Sequence, residues 1–241
     1  MEHTKCYTSD KPLCSIRVHF IFLCLLLMGC GGSKKENKSN KNPVQASTSE
    51  KDVKQEDRDV ILFFGNSITA GYQLDMDQAF PALLQNRIDS LGLNFHCINA
   101  GLSGETSAGG KSRIDWVLRT VPDIFFLELG ANDGLRGLPL EETPKNLQSI
   151  IDQVRTVNPE VKIIIAGMMV PPNLGQDYIT QFQNIFPELA ENNDATLIPF
   201  ILEGVAGNRE LNLGDGIHPT PEGHAIVADP VWKYLQPLLD Q

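Results

Sequence analysis

The feature that most constrains the fold is a series of short, largely apolar runs that alternate with helical patterns. The clearest runs cover residues 60–64, 123–129 and 161–166, and weaker ones lie at 94–100 and 196–199. Runs of this length without regular polar alternation are typical of strands in a sheet that is covered on both faces. The sequence therefore predicts five strands.

Helical patterns fill the intervals between these runs. The clearest helix begins at Thr143 and Pro144, a capping residue followed by proline at the first helical position, and its apolar residues recur on one face. Alternating strands and helices predict an α/β fold with a parallel sheet, because each right-handed crossover lays a helix over one face. Ligands bind such sheets outside the carboxyl ends of the strands. The other predicted helices cover residues 79–91, 107–120, 176–191 and 221–239.

Two of the loops at those carboxyl ends carry the residue types of a nucleophilic catalyst. Ser67 follows the first strand on a sharp turn, where its hydroxyl can attack a carbonyl if a base lies near. Asp215 and His218 lie three positions apart in the last loop, so the carboxylate can bind one imidazole nitrogen and leave the other free. Each pattern has an alternative, since serine often caps a helix and an Asp-His pair also binds metals.

The remaining histidines of the domain bear on the choice between a metal site and a triad. His96 and His224 have no carboxylates clustered near them in the sequence, so a Ser67, His218 and Asp215 triad is favoured and no metal is expected. His96, in a predicted strand, is expected to be structural. His224, at the start of the last helix, is expected at the surface or in a cap.

The loops after the second and third strands offer hydrogen-bond donors. Residues 101–110 are rich in glycine, which lets a backbone N–H approach a substrate oxygen closely. Asn132 can offer a side-chain amide to the same point, and such donors together form an oxyanion hole. A tight loop or a phosphate-binding turn is the alternative, but neither the dinucleotide-binding order of glycines nor the P-loop lysine is present.

Four sequence blocks in this order, GNSITAGY, NAGLSGETS, ELGANDGLRG and DGIHP, resemble the SGNH hydrolases of the GDSL esterase/lipase superfamily. They are most similar to its bacterial periplasmic thioesterase I/lysophospholipase/arylesterase branch. The resemblance implies the flavodoxin-like SGNH hydrolase fold, a three-layer α/β/α sandwich with a five-stranded parallel sheet. It further implies that Ser67 is the nucleophile, His218 the base and Asp215 its orienting acid. The oxyanion donors would be the backbone N–H groups of Ser67 and Gly104 and the side chain of Asn132.

The chain departs from the family pattern at Asn66, where the family usually has aspartate. Asparagine has nearly the same shape but is uncharged and adds a donor, so it should keep most hydrogen bonds of the turn while changing the local electrostatics. Because Asp215 still supplies the carboxylate for His218, we expect an active enzyme with an altered pH profile. A catalytically inactive, tethered binding module is the alternative that Asn66 leaves open.

The expected reaction is the hydrolysis of an acyl ester or thioester through an acyl-serine, with no cofactor. Lysophospholipids, aryl esters and acyl thioesters are the candidate substrates, and carbohydrate O-acetyl esters are the alternative. Met168, Met169, Pro171 and Pro172 follow the fourth strand and supply apolar side chains that suit an acyl chain. Packing over the sheet edge would explain these four residues equally well.

The N-terminal residues predict export and anchoring. Residues 18–28 are an apolar run of 11 residues behind a basic segment, too short to span a bilayer, so residues 1–29 are predicted to be a lipoprotein signal peptide. The letters LMGC that end at Cys30 resemble a bacterial lipobox, in which the cysteine thiol is lipidated; an ordinary secretory signal is the alternative. Residues 30–59 are predicted to be a lipidated, flexible tether, and residues 60–241 the hydrolase domain.

Charge excludes one class of partner. Residues 60–241 carry ten basic and 22 acidic side chains, a net charge of −12, which repels the phosphates of nucleic acid. Only Cys97 lies beyond Cys30, so the domain has no disulfide framework. We expect a monomer in the bacterial cell envelope, exported to the periplasmic side or the outer membrane, whose partners are a small acyl ester and, through the anchor, a membrane.

Overall fold

The computed structural model describes residues 58–239. The predicted signal peptide, Cys30 and all but the last two residues of the predicted tether lie outside these described residues. Within them, five parallel strands form one sheet in the spatial order β2-β1-β3-β4-β5. The strands are β1 (Asp59–Gly65), β2 (Phe95–Gly101), β3 (Ile124–Glu128), β4 (Lys162–Ala166) and β5 (Thr196–Ile198).

The five predicted strands are all present, each within two residues of its predicted ends. Consecutive phenylalanines in β1 show why these runs lack polar residues. The Phe63 ring packs against Phe80 and Phe126, with centroids 5.6 and 5.1 Å apart, whereas the next ring, Phe64, packs against Phe125 at 5.8 Å. Successive side chains of a strand point to opposite faces, so both faces of the sheet are buried.

Seven α-helices occur among residues 58–239 and complete a three-layer α/β/α sandwich, as the resemblance implied. α2 packs against α7, and α3 packs against α5, so each pair contributes to a separate helical layer. None of the helices within residues 58–239 has the length and apolar character needed to cross a membrane. The helices are α1 (Ser67–Ala70), α2 (Phe80–Ser90), α3 (Ser107–Val117), α4 (Ala131–Leu135), α5 (Glu142–Val157), α6 (Gln176–Asn192) and α7 (Pro221–Leu239).

The predicted start of α5 is wrong by two residues, and Thr143 does not cap it. The helix begins at Glu142, and the Thr143 hydroxyl instead donates to Oδ1 of Asp133 at 3.3 Å. The Thr143 side chain, which the local sequence pattern predicts as a helix cap, therefore forms a hydrogen bond with Asp133 in another helix. The prediction of α7 has the correct bounds, and α3 ends three residues earlier than predicted.

The sheet order determines where a ligand can bind. β1 lies between β2 and β3, so the chain reverses its direction across the sheet at β1. In α/β sheets a crevice forms at such a switch point, outside the carboxyl ends of the strands. Ser67 follows β1 and Asn132 follows β3, so both residues border this crevice.

Candidate active site

Three of the predicted side chains lie in hydrogen-bonding succession. Oγ of Ser67 lies 2.8 Å from Nε2 of His218, and Nδ1 of His218 lies 2.7 Å from Oδ2 of Asp215. Because the carboxylate can only accept, Nδ1 carries the proton, which leaves Nε2 free to accept from the Ser67 hydroxyl. This is the order of groups that activates a serine as a nucleophile.

The loop that carries His218 is shaped by short-range hydrogen bonds. Oδ1 of Asp215 accepts from the backbone N–H groups of Ile217 and His218 at 3.0 and 3.1 Å. Gly216 has φ +76, a left-handed conformation that glycine adopts without strain and that closes the turn. Partial burial opposes ionisation of Asp215, but the hydrogen bonds from Ile217 and His218 outweigh it and lower the pKa of the carboxyl.

Tyr72 flanks the imidazole and was not singled out from the sequence. Its ring centroid lies 4.5 Å from that of His218, with an angle of 39° between the planes. The contact restricts rotation of the His218 ring about the bond that points Nε2 at Ser67. Tyr72 ends the GNSITAGY block, which was the available signal.

The predicted oxyanion donors line the same cavity as Ser67. Gly104 has φ +80, and its carbonyl accepts from Nη2 of Arg136 at 2.7 Å, so this contact fixes the loop at Gly104. Nδ2 of Asn132 donates to the carbonyl of Glu105 at 3.0 Å. An amide group has two N–H donors, so Asn132 retains a second donor while the first sets its orientation.

A partly buried ion pair holds the base of this donor loop. Nε of Arg113 donates to Oε1 of Glu105 at 2.8 Å, and its Nη2 donates to the carbonyl of Ala100 at 3.0 Å. The guanidinium also lies over the Phe64 ring, 4.4 Å from its centroid. The glycine-rich segment is thereby joined to β1 and β2 and is held in one conformation.

A cavity of about 920 Å³ opens beside Ser67 and His218. This volume lies in the range of small-molecule binding sites. Met169, Pro171 and Pro172 line the cavity, where the sequence analysis placed a substrate-binding segment. Further apolar lining comes from Ile68, Leu135, Val170 and Ile217.

Met168 does not line the cavity, so its prediction as a substrate-binding residue is wrong. The Met168 side chain is only 5% exposed and belongs to the apolar core, whereas Met169 is 51% exposed. Successive residues of an extended chain point in different directions, and Met169 faces the cavity whereas Met168 faces the core.

The expectation of a surface position for His224 is wrong, and the helix end that its side chain binds is that of α2, not that of its own helix. Its side chain is buried at 1% exposure, and Nδ1 accepts from the backbone N–H of Phe80 at 3.2 Å. Burial, followed by the nearby charge of His218, lowers the pKa of His224 to about 4. A neutral imidazole therefore joins α7 to the start of α2, a role that a single histidine at a helix start did not indicate.

Cys97 and His96 lie outside the cavity wall, in β2. Burial raises the pKa of the Cys97 thiol to about 12, so the thiol stays protonated and packs against the core as a small apolar side chain. Among residues 58–239, no cluster of three or more histidine, cysteine or acidic side chains could hold a metal ion.

Asn66 keeps the hydrogen bonds of the turn, as expected. Its Oδ1 accepts from the backbone N–H of Ile68 at 3.0 Å and so caps α1. Its Nδ2 donates to Oε1 of Glu128 at 2.6 Å, a bond that the aspartate usual in the family could make only if one of the two carboxyls carried a proton.

Comparison with known proteins matches residues 63–226 to the GDSL-like Lipase/Acylhydrolase family. Esterase TesA of Pseudomonas aeruginosa is 38% identical over 180 residues, which cover 74% of this chain and 89% of that protein. An arylesterase of Vibrio mimicus is 36% identical over 73% of this chain and 87% of its own length. The Escherichia coli protein named thioesterase 1/protease 1/lysophospholipase L1 is 36% identical over 76% of this chain and 86% of its own length.

Solved structures of esterases are also similar to this chain. The crystal structure of TesA has a TM-score of 0.71 and 38% identity and covers 75% of this chain and 99% of its own. The esterase EstA from Pseudoalteromonas sp., inhibited by monoethylphosphonate, also has a TM-score of 0.71, with 30% identity over 76% of this chain and 100% of its own. AlinE4, an SGNH-hydrolase family esterase, has a TM-score of 0.62 and 40% identity, and covers 76% of this chain and 97% of its own.

Proposed function

The chain belongs to the GDSL-like lipase/acylhydrolase family, and from that premise we propose that it is a serine esterase that hydrolyses acyl esters or thioesters. The observation that carries the proposal is the unbroken succession from the Ser67 hydroxyl through His218 to Asp215 beside a cavity. Relatives named esterase, arylesterase and thioesterase/lysophospholipase support the same reaction class.

The first half of the reaction acylates Ser67. As Oγ attacks the carbonyl carbon, its proton moves to Nε2 of His218, and the ionised Asp215 stabilises the imidazolium that forms. The carbonyl oxygen becomes negative and accepts hydrogen bonds from the N–H groups of Ser67 and Gly104 and from Asn132. Each such donor contributes about 3 kcal/mol to stabilising the transition state. His218 then gives its proton to the departing alkoxide or thiolate, and the ester to Ser67 remains.

The second half releases the acid. His218 takes a proton from a water molecule that attacks the acyl carbon, the same donors hold the second oxyanion, and the proton returns to Oγ of Ser67 as the carboxylic acid leaves. Both halves use only these side chains, backbone donors and water.

The cavity favours an acyl group longer than acetyl. Its volume of about 920 Å³ and its apolar walls at Leu135, Met169, Val170 and Ile217 would leave most of the space unfilled by an acetyl ester. Lysophospholipids, aryl esters and longer acyl esters are therefore the proposed substrates. A series of p-nitrophenyl esters from acetate to palmitate tests this: kcat/KM should rise from acetate to longer chains, and activity confined to acetate would indicate a carbohydrate O-acetylesterase.

The assignment of the nucleophile is tested with a fluorophosphonate probe. Wild-type protein should be labelled and should turn over a chromogenic ester, and the Ser67→Ala variant should do neither. The matched control is Ser112→Ala, which removes an exposed hydroxyl on α3 that bonds only the Ala108 carbonyl. Labelling that persists in the Ser67→Ala variant would reject the assignment, and a wild type without turnover would favour the inactive binding module.

The proposed cellular setting depends on the N-terminal sequence. We propose that the chain is exported, that Cys30 carries the lipid anchor, and that the domain works as a monomer with a surface that repels nucleic acid. Metabolic labelling with an alkyne fatty acid should mark the wild-type chain and leave the Cys30→Ala variant unmarked. Equal labelling of both chains would contradict lipidation at Cys30, and sedimentation as a dimer would contradict the monomer.

A further inference from the structure

A fully buried carboxylate lies beneath the turn that carries Ser67. Glu128 is the last residue of β3 and is 0% exposed. Its Oε1 accepts from Nδ2 of Asn66 at 2.6 Å. Its Oε2 accepts from the backbone N–H of Asn66 at 3.1 Å and from N and Oγ1 of Thr69 at 3.2 and 2.8 Å. All four hydrogen bonds come from residues 66 and 69, which flank the nucleophile.

The chain is built to admit this carboxylate. A Cβ placed on Gly65 would lie 2.6 Å from Oε2 of Glu128 and 2.1 Å from Oγ1 of Thr69. Glycine at the end of β1 therefore leaves room for the approach of the Glu128 side chain, and any larger residue would displace it.

We propose that Glu128 is a positioning residue for the nucleophile: its ionised carboxylate holds the turn at residues 66–69 and so directs Ser67 at His218, and the Asn66 amide maintains that charge by donating to it. This inference rests on the proposed ester hydrolysis. It assigns to the reaction a buried acidic side chain that no chemical step uses.

The donors around Glu128 match the ionised form. Nδ2 of Asn66 donates to Oε1 of Glu128, and Oδ1 of Asn66 accepts from the backbone N–H of Ile68. If the amide were reversed, Nδ2 would face the N–H of Ile68, and two donors would meet. A proton on Oε1 would therefore break the contact with Glu128 or the cap of α1. Only the Thr69 hydroxyl, among the four donors, can also accept.

Burial opposes this ionised form. Burial raises the pKa of Glu128 to about 7, and the hydrogen bonds from Thr69 and Asn66 lower it only in part. The charged groups on neighbouring elements within residues 58–239 have other partners: Asp133 in α4 bonds Ser107, Arg113 bonds Glu105, and His218 bonds Ser67. The geometry of the nucleophile turn should accordingly change as pH crosses about 7.

A donor-acceptor exchange tests the inference directly. In Glu128→Gln the new amide brings a second set of N–H groups against those of Asn66 and Thr69, and kcat should fall about 10- to 100-fold, on the scale of a displaced nucleophile. KM should change far less, because the cavity wall is intact. In Asn66→Asp/Glu128→Gln the new amide donates to the new carboxylate, and most of the lost kcat should return.

The pH profiles of the same variants give a readout that a merely structural role would not move. In the wild type kcat/KM should rise as Glu128 loses its proton, and this step should be absent from the double variant, which has no acid at position 128. In Asn66→Asp alone, two carboxyls in contact share one proton, so activity should fall once rising pH removes that proton. Fluorophosphonate labelling rates of Ser67 should follow the same profiles.

Controls separate positioning from folding. Asn193→Asp makes the same change at a buried asparagine that bonds Gln148 and the Leu189 carbonyl, away from the cavity, and should leave the pH profile unchanged. Thermal unfolding establishes that each variant is folded. Should Glu128→Gln not fold, Thr69→Val removes only the hydroxyl donor and should move the acid limb of the profile to higher pH.

Each outcome decides the matter. Recovery of kcat in the double variant, with its altered profile, supports the inference, as does the shift in Thr69→Val. A folded Glu128→Gln with wild-type kcat and pH profile overturns it, as does a double variant no better than Glu128→Gln or a Thr69→Val profile that does not move. A wild type that neither hydrolyses esters nor reacts with the probe would reject the proposed function as well, which distinguishes the two failures.

Discussion

The turn that carries Ser67 and the loop that carries His218 meet at one hydrogen bond, but they are held in place differently. The turn is buried and is tied to a distant strand through the carboxylate of Glu128. The loop is held by Asp215, whose side chain is 37% exposed and whose partners lie no more than three positions along the chain. Half of the site thus depends on tertiary packing and half on local sequence.

This difference has an energetic consequence. Changes in the loop should reduce catalysis with little effect on the stability of the domain, because exposed, local contacts contribute little to folding. Changes in the turn should reduce both, because they disturb groups that are fully buried and satisfied only by one another.

The largest expected effect is on catalysis, from the loop. Asp215→Asn keeps an oxygen for the N–H groups of Ile217 and His218 but cannot fix the imidazole tautomer, so kcat should fall by about 10³- to 10⁴-fold. The melting temperature should move by only a few degrees. Asp115→Asn, an exposed change on α3, is the control for loss of a negative charge. A Tm loss as large as that of a core mutation would break the comparison.

The next effect is on stability, from the turn. Gly65→Ala places a methyl group 2.1 Å from Oγ1 of Thr69 and should lower the free energy of unfolding by about 1–3 kcal/mol, as overpacking does. Gly214→Ala is the matched change in the loop, where an added Cβ would meet nothing within 4 Å, and should be nearly neutral. Urea denaturation of both variants measures the difference, and equal losses would contradict it.

A third prediction concerns the pH dependence of stability. The folded pKa of His224 is about 4, below its ordinary value of 6.5, so its contribution is complete above pH 6.5 and is lost as pH falls toward 4. Glu128 has the opposite effect. Its folded pKa of about 7 lies above the ordinary value of 4.5, so its contribution to folding stability is present below pH 4.5 and is lost as pH rises through 7.

The variant His224→Gln isolates these two effects. It should remove the loss of folding stability that protonation of His224 causes in acid, which is on the order of 1–3 kcal/mol. Because the contribution of Glu128 then remains, the free energy of unfolding should rise as pH falls from 7 to 4.5. Urea titrations at several pH values follow this directly. If the wild type and the variant lose stability equally on acidification, another group is responsible.

The smallest effect is expected at Tyr72, whose ring joins the two regions. Tyr72→Leu removes the ring contact with His218 but leaves both hydrogen bonds of the imidazole. We expect kcat to fall about 3- to 10-fold through looser orientation, with the melting temperature unchanged. A loss as large as that of Asp215→Asn would show that the loop does not hold His218 by itself.

The same contrast explains what the sequence could predict. The central strands β1, β3 and β4 are predictable because burial on both faces leaves a continuous apolar run, whereas the edge strands β2 and β5 are only partly buried and give weaker runs. The arrangement of Asp215 and His218 is predictable because it is local. The four-residue α1 and the five-residue α4 were not predicted, since they are too short to show a helical period.

The misses share a physical origin in long-range contacts. Thr143 bonds Asp133 instead of capping a helix, His224 is buried against α2, and Met168 faces the core where its neighbour faces the ligand. In the sequence, nothing distinguishes Glu128 from the other residues of its strand. The structure shows that its carboxylate oxygens accept hydrogen bonds from the turn that carries Ser67. Local patterns contain no information about such partners.

The proposed acyl-serine is tested most directly by locating the acyl group with mass spectrometry after the enzyme is mixed with a p-nitrophenyl ester and quenched in acid. We expect one added acyl group on the peptide that contains Ser67, with none in the His218→Ala variant mixed for the same time. An adduct on another residue, or turnover by the Ser67→Ala variant at the wild-type rate, would contradict it.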